Sequence, residues 1–73
     1  EASGNTDLPE PLSQRELEVL DLINQGLANK DIANTMGVAP TTVKAHIRNL
    51  YGKLAVGSRT EALAKARELR LLA

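Results

Sequence analysis

The sequence predicts an all-α domain of four helices, and two kinds of observation carry that prediction. Four segments repeat apolar residues at helical rather than alternating spacing. Helix start and stop signals bound them: Ser13 and Ser58, each with a glutamate three residues on, and Gly26, Gly37 and Gly57 behind. No strand is needed and no repeat is evident. The 73 residues make one small domain, near the lower end of what folds alone. There is no cysteine, so neither a disulfide framework nor a cysteine-based zinc site can hold the fold. Tyr51 is the only aromatic residue, so the core is aliphatic. No apolar run is long enough to span a membrane, and no signal-peptide pattern is present. The composition fits a soluble, cytoplasmic domain. The first residue is Glu1 rather than methionine, which fits both a piece cut from a longer protein and N-terminal processing.

Residues 1–11, "EASGNTDLPEP", are small, polar, acidic and proline-containing, and read as a linker or tail ahead of a domain over 12–73. The first helix starts at "LSQRE". Ser13 caps it, Glu16 reaches back as the partner of a capping box, and Leu12 and Leu17 stand at the staple positions. Val19, Leu20, Ile23 and Leu27 form its apolar face, and Gly26 ends it in a left-handed conformation. "NKDIANTMG" makes a shorter second helix with Ile32, Ala33 and Met36 on one side and Gly37 as its stop. Its cap is either Asn29 or Ala28, and only the former carries a side-chain oxygen.

Pro40 opens the third helix, where its missing N–H would have no partner in any case. Val43, Ile47, Leu50 and Leu54 face the core; Thr41, Lys44, Ala45, Arg48 and Gly52 fall on the opposite face. Gly52 costs the helix about 1 kcal/mol relative to alanine. "AVGS" breaks the helix at Gly57, and Ser58 with Glu61 opens a fourth helix whose apolar positions are Ala62, Leu63, Ala66, Leu69 and Leu72.

The formal net charge is zero, but the charges are segregated. Residues 1–21 carry Glu1, Asp7, Glu10, Glu16, Glu18 and Asp21 against Arg15 alone. Between Asp31 and Glu61 there is no acid, while Lys44, Arg48, Lys53 and Arg59 are all basic. The second half is built to approach an anion. Two short helices joined by "MGVA", the second with a basic, small-residue face, are the parts of a helix-turn-helix. The major groove of DNA admits one helix, and Lys44 and Arg48, one turn apart, suit guanine O6 and N7. Ala45 between them can touch a thymine methyl. Thr41 and Thr42, in the first turn, can donate to phosphate beside a helix N-terminus that favours an anion.

The pieces "LSQRE", "GLANKDIA", "TTVKAHI" and "KLAVGSRTEA", in this order and spacing, resemble the LuxR-type (GerE-like) DNA-binding domain of bacterial transcription regulators. The resemblance covers about residues 12–70, and "TTVKAHIRNLYGKLAV" is most similar to the subgroup of large, nucleotide-regulated activators of the MalT-like kind. It implies a sequence-specific binder of double-stranded DNA, with base-reading positions at Lys44, Ala45 and Arg48. It implies phosphate contacts at Asn29, Lys30, Thr41 and Thr42, and basic positions of partly structural role at Lys53 and Arg59. The fourth helix would mediate a weak homodimer on DNA, through the stripe Ala62, Leu63, Ala66 and Leu69. RNA polymerase would be a further partner of an activator, and the nucleoid the place of action. The sequence departs from the family at Ala28 and Ala39, which often hold Ser or Thr, and at Gly52 and Ala55, where larger residues and Gly respectively are common.

Other functions have less support. Ser13 and Ser58 have no activating base nearby, and Asp31 and Glu61 read as helix N-terminal charges, so no catalytic residue is assigned. His46 lacks a second ligand at a suitable spacing, so no metal or cofactor is expected, and packing is its better role. Tyr51 reads as cover for the core edge. Lys53 is either a phosphate contact or a complement to the C-terminal end of its helix. A module that docks a partner helix through "EALAKARELRLL" is the alternative to DNA, and its affinity would not fall steeply with salt.

Overall fold

A computed structural model describes residues 8–72; residues 1–7 of the expected tail lie outside them. The elements are α1 (Gln14–Asn24), α2 (Asn29–Met36), α3 (Pro40–Leu54) and α4 (Arg59–Glu68), with no strand among the described residues. The architecture is the expected all-α one. α1 and α3 form the centre, each packed against the three other helices.

Local chemistry sets the helix starts. Ser13 Oγ accepts the Glu16 N–H at 3.2 Å and Glu16 Oε1 accepts the Ser13 N–H at 2.9 Å, which closes the capping box. At α4 only half of that pattern forms. Ser58 Oγ accepts from the Glu61 N–H at 3.2 Å, but the Glu61 carboxylate takes the Gly57 N–H at 2.8 Å instead of that of Ser58. Ala28 and Ala39 are the cap residues of α2 and α3, and neither offers a side-chain hydrogen bond.

The four helix ends share one device. In each, a left-handed residue lets two successive N–H groups fold back onto the last turn, as in a Schellman motif. Leu27 N–H reaches Leu22 O and Gly26 N–H reaches Ile23 O; Val38 and Gly37 bond Ala33 and Asn34 in the same way. Val56 and Ala55 bond Tyr51 and Gly52, and Leu71 and Arg70 bond Ala66 and Arg67. Gly26 and Gly37 adopt the left-handed angle freely, while Ala55 (φ 59°) and Arg70 (φ 61°) adopt it with a Cβ in place. Two expectations change here. Leu27 lies beyond α1, half-buried after the turn, and α3 ends at the left-handed Ala55 rather than at Gly57.

The core gathers Val19, Leu20 and Ile23 of α1, Ile32 and Ala33 of α2, Val43, Leu50 and Leu54 of α3, and Ala62 and Ala66 of α4, with Leu12 closing one edge. Ile47 and Met36, expected inside, are half-buried against it. Leu8 also packs on this cluster, whereas the composition of residues 1–11 predicted a linker or tail outside the core. Ala62 and Ala66 are 0% exposed, which corrects their assignment to a surface stripe. They are the points where α4 rests on the domain's own helices, and small side chains there permit close approach.

Candidate nucleic-acid interface

Gly37 turns the chain between α2 and α3 in the left-handed conformation, and Pro40 restarts it at once as the first residue of α3. This turn is what makes α2 and α3 a helix-turn-helix. Val43, Leu50 and Leu54 anchor α3 on its buried side. That leaves Thr41, Lys44, Ala45, Arg48 and Gly52 exposed together, within a sector of about 100° at 3.6 residues per turn. Thr42 is exposed at the flank of the same face, and Lys30 is exposed in the first turn of α2.

The fold treats its cations in two ways. Lys53 Nζ donates to Glu16 Oε1 at 2.8 Å and to the Pro11 carbonyl at 3.2 Å. Arg59 donates to the Leu27 carbonyl at 3.0 Å and to Asn29 Oδ1 at 3.4 Å. Arg15 pairs with Glu18, Lys65 with Glu68, and Arg67 bonds Asn24 Oδ1. Lys30, Lys44 and Arg48 have no such partner among the described residues; the only other cation left so is Arg70, at the end of α4. Within the carboxylate-free stretch the fold ties down Lys53 and Arg59 and leaves Lys44 and Arg48, both on the exposed side of α3, without a partner among the described residues.

Lys53 and Arg59 carry the structural part of the role that the family resemblance implied, and Asn29 is drawn into the same contacts. Lys53 stands in the last turn of α3, where its charge complements the helix end, and there it neutralises the buried Glu16. Arg59 ties the loop between α1 and α2 to the start of α4, and it engages Asn29, leaving that amide half-buried. Burial by itself pushes the Glu16 carboxyl up, but the hydrogen bonds from Lys53 and Ser13 and the charge of Lys53 outweigh it and hold the group below the ordinary glutamate range. No spacing rule pairs positions 37 and 32 residues apart, so sequence periodicity had no means of finding these contacts.

His46 is half-buried, and no group of three or more metal-ligating side chains occurs among the described residues. Tyr51 packs against the core, as expected. Beside the basic face, a shallow groove of about 400 Å³ is lined by Glu10, Glu16, Arg48, Asn49, Gly52 and Lys53. Asn49 is exposed there, one position from Arg48, and sequence reasoning gave it no part.

The profile of bacterial regulatory proteins of the luxR family matches residues 10–66, which spans the capping box, the helix-turn-helix and most of α4. The chain belongs to the luxR family. It is 56% identical over 59 residues to "HTH-type transcriptional regulator MalT" of Yersinia pestis (strain Pestoides F), and equally to that of Yersinia pseudotuberculosis serotype O:1b (strain IP 31758). Those matches cover 81% of this chain and 6% of each relative. The fold superimposes on the crystal structure of response regulator ChrA of a heme-sensing two-component system, with a TM-score of 0.83 and 41% identity, over 86% of this chain and 31% of that one. This luxR-family chain thus corresponds to a small part of such relatives, and that part is a DNA-binding, transcription-regulatory helix-turn-helix. No helix among the described residues is long and apolar enough to cross a membrane.

Proposed function

We propose that this domain binds double-stranded DNA sequence-specifically with α3 in the major groove, as the effector domain of a bacterial transcription regulator. The carrying observation is that, among the described residues, Lys44 and Arg48 have no partner on one exposed face while five cations elsewhere are tied to the fold. Lys44 and Arg48 read guanine edges and Ala45 lies against the bases. Lys30, Thr41 and Thr42 hold the phosphates, with Asn29 left to Arg59. Of the leucines and alanines proposed for pairing, Leu63 and Leu69 remain half-exposed, so a weak homodimer on DNA would use these two. Two-fold pairing calls for an inverted repeat with half-sites about 10 bp apart. The domain acts in the cytoplasm at the nucleoid, and an activator would there contact RNA polymerase.

Selection from a random duplex pool, followed by titration at several salt concentrations, tests this. Binding that falls steeply with salt is expected, whereas salt-insensitive binding or none overturns the proposal. Arg48→Ala should lose about 1–3 kcal/mol of discrimination at one base pair, while Lys30→Ala should weaken all sequences alike and flatten the salt slope.

A further inference from the structure

Gly52 has no explanation inside the molecule. It lies within α3 with helical backbone angles, so no turn requires a glycine there. Among the described residues a Cβ built at this position meets nothing within 4 Å, so no neighbouring helix requires the space. Three residues on, Ala55 occupies the left-handed position that a glycine would relieve. The helix therefore carries its glycine where the fold gains nothing from it and lacks one where the fold would gain.

Gly52 is exposed on the face that presents Lys44, Ala45 and Arg48. It sits about 12 Å along the helix axis from Lys44, at about 1.5 Å per residue. That distance is about the width of the major groove. With Lys44 and Arg48 over the bases, residue 52 arrives at the wall of the groove, where the sugar–phosphate strand runs. Asn49, exposed about one turn earlier and lining the protein's own shallow groove beside Gly52, has an amide that can donate to that strand.

We infer that Gly52 is the point at which α3 passes against the DNA backbone, a positioning residue whose missing side chain sets how deeply Lys44 and Arg48 reach. The inference rests on the DNA-binding proposal. It predicts opposite effects on stability and binding, which a structural role for Gly52 would not produce.

The test measures thermal midpoints and duplex affinities of wild type, Gly52→Ala, Gly52→Leu and Ala55→Gly, on DNA selected with the wild type. Gly52→Ala should raise the midpoint by about 4–8 °C. It should weaken binding about threefold, and Gly52→Leu more than about tenfold, because added methylenes at a packed contact displace what they meet. The preferred sequence should stay the same, because a backbone contact carries no base information. Ala55→Gly should raise the midpoint and leave affinity unchanged. If the Gly52 variants bind as tightly as wild type, or lose affinity at one base pair only, the inference is wrong. If the wild type itself binds no duplex, the DNA-binding proposal has failed first, and the same titration makes that visible.

Discussion

The four helices begin in two different ways. α1 and α4 start behind serines whose hydroxyls accept first-turn N–H groups, and at α1 the glutamate completes the box. α2 and α3, the helix-turn-helix, start behind Ala28 and Ala39, which offer nothing to theirs. The first pair is secured locally by its own side chains. The second is held by the packing of its own buried side chains, Ile32 and Ala33 of α2 and Val43, Leu50 and Leu54 of α3. Under the proposed function, the unfilled first turns of α2 and α3 are also the ones that face phosphate. The contrast separates two helices whose first turns are closed by their own side chains from two whose first turns are left open.

Ala66→Glu attacks the serine-capped pair most severely. It places a carboxylate where no surface is exposed, and the domain should not fold, as a flat far-ultraviolet melt would reveal. A folded, soluble variant would mean that α4 is held less closely than the structure has it. Next in size is Lys53→Ala, which leaves Glu16 buried without its cation and should cost about 2 kcal/mol by urea unfolding. Glu16 also sets the acid behaviour. Its carboxyl is held below the ordinary range in the fold. Its stabilising contribution is therefore full above the unfolded pKa of about 4.3 and disappears as pH falls through the lower, folded value. Glu16→Gln should shrink that loss between neutral pH and pH of about 3. A variant that loses stability toward acid as steeply as wild type would assign the effect to another group.

The capping contrast itself is tested by smaller changes. Ser13→Ala and Ser58→Ala should each cost about 1 kcal/mol, read as a lower thermal midpoint. Ala39→Ser is the reverse experiment. The extended backbone of Ala39 (φ −73°, ψ 150°) suits a capping serine, which should add up to about 1 kcal/mol to stability. No gain would show that packing alone fixes the start of α3.

The sequence made the fold legible wherever the deciding interaction is local. The Ser13–Glu16 box, the left-handed Gly26 and Gly37, and the division of α3 into a buried side and a basic side all follow from spacings of a few residues. The basic face was legible for the same reason. The alanines of α4 were not. Periodicity shows that Ala62 and Ala66 share a stripe, but whether that stripe meets its own domain or a second copy depends on where α1 and α3 lie. Lys53 and Arg59 were opaque for a related reason: their partners Glu16 and Leu27 are brought near only after the helices have docked. Ala55 and Arg70 were missed as helix stops because neither residue type advertises a left-handed backbone.

The Glu16–Lys53 pair has a kinetic meaning as well. It joins the first turn of α1 to the last turn of α3 across 37 residues. It cannot form until the intervening helix has been laid down and the two central helices have met. A contact that waits for the docking of α1 on α3 acts on the unfolding rate to the extent that this docking follows the folding barrier. With that docking after the barrier, loss of the pair should leave the folding arm of a chevron almost unmoved and raise the unfolding arm. What the pair governs is then the lifetime of the native state: how long the domain stays closed once it has folded, rather than how soon it gets there.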